Sequence, residues 1–427
     1  MIETRTENGS ELGVQIAVVG SGLAGLTATW LLGRQARVTV YEAHPRPGMG
    51  AHSIRLGPNG SGPLVDVPLR AFTPAYYPTL LSVYREAGVE VAPVDYAASF
   101  SRLGGHTYFR YHNARIAGRS IPWIGPMSLL DGKTRTIARG LLRLHMRGLV
   151  DQREGRLKGR SLGSYLASEG YDPVFVEGFL LPAYATVCTC TTEAVRRYPA
   201  DVIIGYFCSG VTTLGVMRAM RGSQDVIDRL LAPAHELRTG TRVDRISLQE
   251  GGVHVADSEG DVRRFDHVIL AAPADRGAGL LDGDEGLRRI LEQVPHESSR
   301  VVVHTDTRLA PRSRKAWKPI NVMVSDDHEA PMTTIWLNRV QDGLQDASPI
   351  FQTWNPVVEP TPSEVVAEAE VSRPVVTVAT RDVPKRLEAL LDEPGRRIWP
   401  VGSYAEEGIP LLEAAAASAA RVARRLR

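Results

Sequence analysis

The sequence predicts an α/β protein built on a parallel sheet, with a second domain inserted into it. Three observations predict this. The stretch from Val14 to Ser53 reads strand, glycine turn, helix, strand. The chain has 427 residues, too many for one ordinary core, so two domains sharing an interface are expected. Further strand patterns occur far downstream, between Val216 and Pro273 and again before Gly402.

The first stretch opens with an apolar run, Ile16 to Val19, of the length and β-branched content of a buried parallel strand. Gly20, Gly22 and Gly25 follow at G-x-G-x-x-G spacing, and an Ala/Leu-rich helix pattern that includes Leu23 and Ala24 runs on to Leu32. The first glycine permits the tight turn, the second lets backbone approach a pyrophosphate, and the third lets helix pack on strand. The pyrophosphate then sits on the helix N-terminus, where free N–H groups and the macrodipole favour negative charge. A second strand, from Arg37 to Tyr41, ends in Glu42 and Ala43. Glu42 lies 22 positions after Gly20, where a carboxylate accepts from ribose hydroxyls.

Composition bounds the rest. Hydrophobic residues at 43% and charged residues at 23% are ordinary for a globular protein, and a net charge of +2 gives no reason to expect a nucleic-acid partner. Three cysteines, Cys188, Cys190 and Cys208, make no disulfide framework and lack the spacing of a zinc site, so buried structural thiols and no metal are expected. With a polar N-terminus and no apolar run of membrane-spanning length, the expected location is cytoplasmic.

After Glu42 comes the segment PRPGMGAHS, where Gly48 and Gly50 let the loop lie close against a flat or charged group; Arg46 either reaches a phosphate or is a solvated arginine on an exposed turn. Residues Pro78 to Ala87 read as an amphipathic helix and Val89 to Ala92 as a short strand.

At this point the chain resembles the bacterial amine-oxidase-like FAD-binding proteins, a branch of the flavin-containing amine oxidoreductase superfamily related to the carotenoid desaturases. The blocks LVDVPLRAFTPAYYPTLLSVYREAGVEV, SLGSYLASEGYDPVFVEGFLLPAYATV, FDHVILAAP, VVVHTDTRLAPRSRKAW and IWPVGSYAEEGIPLLEAA carry the resemblance in order over nearly the whole chain. It implies a Rossmann-like FAD-binding domain of the three-layer, glutathione-reductase-2 type, from residues 1–75, 215–280 and 393–427. The inserted substrate domain, residues 76–214 and 281–392, would hold a mixed sheet and helices. FAD would be bound non-covalently, with the backbone of Val243 at the adenine and Ala272 on the pyrophosphate side. The turn Gly402-Ser403 and the helix entered through Ile409 and Pro410 would face the flavin. The sequence departs from the family at two places. Gly48-Met49-Gly50-Ala51-His52 replaces the usual glycine-glycine-arginine, and Ser298, Ser299 and Arg300 stand where amine oxidases hold a lysine near the flavin.

Three further features concern function. Arg300 to Thr305 reads as a strand, and in a strand His304 and Asp306 share a face. A histidine beside a carboxylate is a candidate base near neutral pH, with a structural histidine as the alternative. The runs TTIWLN and IFQTWN place Trp336, Asn338, Trp354 and Asn355 either on the wall of an apolar cavity or in the core. Arg135, Arg139, Arg143 and Arg147 recur every fourth residue and form one helical stripe. That stripe is either a solvated face or a weak contact for a membrane surface or a carrier protein. The expected activity is FAD-dependent oxidation of a small or apolar metabolite by hydride transfer to flavin N5, as C–C desaturation or C–N oxidation. The alternatives are a non-redox flavin-assisted isomerase or cyclase, and a docking flavoprotein without turnover.

Overall fold

The computed structural model describes residues 13–48, 52–57, 61–116, 119–211, 213–325, 330–345 and 347–427. Five parallel strands form its first sheet, in the order Glu236–Thr239, Arg37–Glu42, Gln15–Val19, His267–Leu270, Ile398–Pro400. Successive side chains on a strand point to opposite faces, and here both faces are covered. Ile16, Val18, Val38 and Val40 pack on a helical layer. That layer holds the helices Leu23–Leu32 and Leu412–Arg425, which lie against each other. Ala17, Val19, Val268 and Leu270 pack on the other side, against the antiparallel hairpin Val243–Gln249 and Gly252–Asp257. The result is the expected three-layer arrangement. The helix Leu23–Leu32 is buried on nearly all sides, which explains why its sequence is predominantly apolar, with Thr27 and Thr29 buried too, instead of amphipathic.

A second, seven-stranded sheet runs in the order Val365–Pro374, His296–His304, Phe351–Trp354, Met332–Trp336, Ile320–Val324, Ala98–Arg102, Thr107–Arg110. Ile320–Val324 pairs parallel with Ala98–Arg102 and the other pairs are antiparallel, so the sheet is mixed, as expected. Its apolar face, with Val301, Val303 and Val322, shares one core with Ile137 and Leu144 of the helix Gly132–Arg153 and with Leu181 and Tyr184.

Two boundaries differ from the sequence-based expectation. The short strand is Val91–Val94, not Val89–Ala92, because Val89 is used to stop the preceding helix: its N–H donates to Tyr84 O at 2.8 Å beyond Gly88, whose φ is +71°. The strand expected at Arg300–Thr305 instead spans His296–His304, since Val365–Pro374 pairs with it from His296 onwards. It ends at a register shift between Val303 and His304. No helix among the described residues is long and apolar enough to cross a membrane.

Candidate cofactor and substrate site

The glycine turn is built as its spacing demands. Gly20 has φ +103°, and a Cβ there would lie 2.9 Å from the carbonyl oxygen of Ala271. A Cβ on Gly25 would overlap the carbonyl oxygen of Gly20, so helix and strand touch at this point. Gly22 differs: nothing lies within 4 Å of where its Cβ would be. It is the N-cap of the helix Leu23–Leu32, and no side chain caps that end. The first N–H groups of the helix thus open onto empty space, which gives an electropositive cradle of the size and sign a pyrophosphate needs.

That space belongs to a cavity of about 1460 Å³, larger than the ~300–1,000 Å³ usual for one small ligand. Of the residues assigned to the cofactor from sequence, Gly20, Gly22, Leu23, Ala24, Glu42, Ala43, Arg46, Val243, Ala272, Gly402, Ser403 and Pro410 line it. Two of the assigned residues lie off the cavity wall. Gly25 does not line the cavity, because it is spent on the helix–strand contact. Ile409 does not line it either: it is buried, and its N–H donates to the Tyr76 hydroxyl at 3.2 Å. Gly50 lies outside the described residues.

Glu42 ends the second strand at the cavity edge, and both its oxygens are already used. Oε2 accepts from Ser21 N at 3.1 Å and from Ser21 Oγ, and Oε1 accepts from His44 N at 2.9 Å. Ser21 Oγ also accepts from Gly48 N at 3.0 Å. The carboxylate therefore clamps the glycine turn to the loop that carries Arg46, besides facing the cavity. Ser21 is not singled out by the sequence because the motif leaves its position open. Glu413, in the first turn of the C-terminal helix, accepts from Thr79 N and Leu80 N at 2.9 and 3.0 Å, so it caps the helix Pro78–Glu86.

The other end of the cavity meets the seven-stranded sheet. Ile320, Ile335, Trp354 and Val371 give an apolar wall. Opposite them, the π-helical segment Val176–Leu180 supplies Phe179 and Leu180. Thr189, at φ +49°, lines the cavity too, and its carbonyl accepts from Ser299 Oγ at 2.8 Å. Ser299 thus braces the wall. Among the described residues no lysine lines this cavity.

Arginines do, among them Arg70 and Arg373 at the sheet end. Burial and the neighbouring Arg373 pull Arg70 down to about 9. Arg373 is also pulled below the usual arginine range by burial. It sits over the Trp354 ring, 5.5 Å from the centroid, and no carboxylate among the described residues pairs with it. The signal for Arg373 is present in the sequence. Ala367, Ala369, Val371 and Arg373 alternate along one strand, which puts the arginine on the apolar face.

His304 and Asp306 line no part of the cavity. The histidine is fully buried, with Nε2 2.7 Å from Thr353 Oγ1. The chain of contacts continues from Thr353 Oγ1 to Thr334 Oγ1 at 2.8 Å and from there to Leu309 O at 2.6 Å. Burial pushes the imidazole down to about 4, only partly offset by Asp306. The same-face expectation fails because the strand stops at His304. Asp306 caps the turn Thr307–Leu309, accepting from Arg308 N at 2.9 Å and from Thr361 N at 2.9 Å. The Arg308 guanidinium and those donors hold its carboxyl well below the usual range. Trp354 faces the cavity, whereas Asn338 clamps a loop through Leu344 O and Ile350 N, and Trp336 packs on Trp317.

Arg135, Arg139, Arg143 and Arg147 are all exposed on the helix Gly132–Arg153. Cys188 and Cys190 are buried free thiols, and no described cluster of His, Cys, Asp and Glu is placed to hold a metal.

The open cradle at Gly22, the residues around it and the cavity volume together fit FAD. Comparison with known proteins adds to this geometry. Residues 18–87 match the family model of the NAD(P)-binding Rossmann-like domain. No curated protein matches the sequence. The fold is similar to a putative protoporphyrinogen oxidase from Exiguobacterium sp. 255-15, with TM-score 0.68 and 18% identity over 97% of this chain and 98% of that one. A putrescine oxidase double mutant gives TM-score 0.67 at 14% identity, over 97% and 99%. A CLA-producing fatty acid isomerase from P. acnes gives 0.66 at 17%, again over 97% and 99%. At these identities the likeness establishes a shared fold over the whole chain.

Proposed function

We propose that this chain is an FAD-dependent oxidoreductase of the amine-oxidase-like superfamily, acting on a substrate with an apolar body and an anionic end. The observation that carries the reading is the single cavity joining the glycine turn at Gly22 to the apolar wall at Trp354 and Val371. FAD, when bound, supplies the two-electron acceptor for a hydride from the substrate. The residues do the rest. Gly22 and the start of the helix Leu23–Leu32 hold the pyrophosphate, Arg46 neutralises it, and Glu42 keeps the turn and its loop in register. Phe179, Leu180, Ile335 and Trp354 exclude water and orient the apolar body. Arg373 faces the anionic end, because a guanidinium without a carboxylate partner is costly to bury unless a ligand provides one.

This wall favours C–C over C–N oxidation. It offers no lysine, and it presents a cation where an ammonium substrate would need an anion. The reading assigns His304 a structural role, since its imidazole touches no cavity atom. The non-redox alternative, flavin-assisted isomerisation, draws its support from the likeness to the fatty acid isomerase fold.

Anaerobic mixing tests both. Long-chain carboxylic acids should bleach the flavin stoichiometrically while primary amines do not. Bleaching by amines alone overturns the substrate reading. Turnover of a carboxylic acid to an isomer without net flavin reduction transfers the chain to the second reading.

A further inference from the structure

One exposed face of the molecule is apolar and basic at once. Trp123 ends the strand Arg119–Trp123, and Met127 and Leu130 lie on the 3₁₀ turn Pro126–Leu130 that follows. Leu142 and Met146, four apart, project from the helix Gly132–Arg153 that comes next. Their exposures are 54, 79, 69, 59 and 57%, respectively. Large apolar side chains normally reach the surface singly, so this grouping within 24 residues of chain calls for an occupant. Arg135, Arg139, Arg143 and Arg147 are exposed among them. Between residues 119 and 150 the chain carries one acid, Asp131, and it is spent on the N-cap, accepting from Thr134 N at 2.8 Å. Arg135 donates to Leu129 O and Leu130 O at 3.2 and 2.7 Å, tying the apolar turn to the start of the helix.

The inner sides of the same elements line the cavity through Pro122, Ile124, Ala138 and Leu141. The face and the cavity are thus two sides of one wall.

We infer that this face seats the protein on an anionic lipid surface, from which the apolar substrate enters the cavity. Apolar side chains at the tips, a tryptophan at the rim and arginines between them match the interface of a bilayer with negative headgroups. Arg147 lies 4.0 Å from the partly buried Glu169 and the buried Asp151, and the remaining basic charge of the face gives the required complementarity. The inference takes its substrate class from the function proposed above, but the docking itself does not depend on flavin.

Purified full-length protein is sedimented with vesicles of phosphatidylcholine alone or with about a third phosphatidylglycerol. Partitioning onto the anionic vesicles is expected, with a blue shift of tryptophan fluorescence that Trp123→Phe removes. Raising the salt from ~0.1 to ~0.5 M should weaken it several-fold, because exposed arginines are screened over that range. Met127→Asp with Leu130→Asp should lower the partition coefficient at least tenfold while the melting temperature and FAD content stay unchanged, as both residues are exposed. Arg139→Glu with Arg147→Glu should act on anionic vesicles only. Failure to sediment with anionic vesicles overturns the inference. So does sedimentation unaffected by the Asp pair, or a dimer dissolved by that pair with no lipid binding. FAD content is read on the same samples. Protein that sediments without FAD supports docking while the redox reading falls. Flavin-loaded protein that does not sediment overturns docking while the redox reading stands.

Discussion

His304 offers the sharpest physical test, because its burial has a consequence that catalysis does not share. In the fold its imidazole has a proton affinity corresponding to about 4, set first by burial. In the unfolded chain the value is ~6.5. As pH falls below that value the unfolded chain takes up a proton first, so the folded form loses stability. The loss runs from the unfolded value down to the folded one and is then complete. At ~1.4 kcal/mol per tenfold change in proton affinity it reaches ~3.5 kcal/mol, of which ~2.5 kcal/mol is lost by about pH 4.5. The perturbation is His304→Gln, which keeps a polar group against Thr353 and cannot titrate. Urea unfolding of both proteins, saturated with FAD, at neutral pH and at about pH 4.5 isolates the effect, since every other titrating group is common to both. The wild type should lose roughly 2.5 kcal/mol more than the variant. The rate of anaerobic flavin reduction at neutral pH should be the same in both. An equal acid loss would refute the buried, neutral histidine. A reduction rate lowered by ~10²-fold or more, the usual contribution of a positioned base, would refute the structural role.

The remaining expectations concern the two ends of the cavity. Gly22→Val should abolish FAD retention, since its side chain would project into the space at the helix start; acid precipitation of the purified variant would release no FAD, and full loading would sink the cradle. Ser21→Ala should weaken FAD binding through the clamp on Glu42, by roughly tenfold if one charge-assisted hydrogen bond of ~1.5 kcal/mol is lost; fluorescence titration of the apoprotein measures it. Arg373→Met should raise the Kd of long-chain carboxylates by ~10–100-fold, the equivalent of a charge-assisted bond of ~1.5–3 kcal/mol, and leave their methyl esters unchanged in the same titration. Glu413→Ala uncaps the helix Pro78–Glu86 and should cost ~1–2 kcal/mol in denaturant unfolding with no change in FAD content.

The cofactor end is legible in the sequence because its geometry is local. A turn that needs φ above zero at Gly20, contact at Gly25 and open space at Gly22 is written within six residues, and the helix and strand flanking it follow from apolar pattern alone. Gly25 shows the limit of that reading: a motif position can serve the fold that presents the ligand without touching the cavity. The substrate end is made by long-range pairing. Trp354 and Arg373 meet over a cavity wall only because Phe351–Trp354 and Val365–Pro374 flank His296–His304 on opposite sides. Local pattern reports which face of each strand is apolar but not which strands adjoin. The His304–Asp306 pairing fails for a related reason. Period-two alternation holds only while a strand continues, and this one ends at a register shift against Val365, where Asp306 turns to cap its own loop. An aspartate followed directly by a T-R-L run reads equally well as a cap, and that local signal separates the two side chains. The positional argument that misplaces His304 is the one that places Arg373, on a strand that does continue through ten residues. The inward side of an unbroken strand therefore locates a cavity-lining charge more reliably than the chemistry of a single histidine.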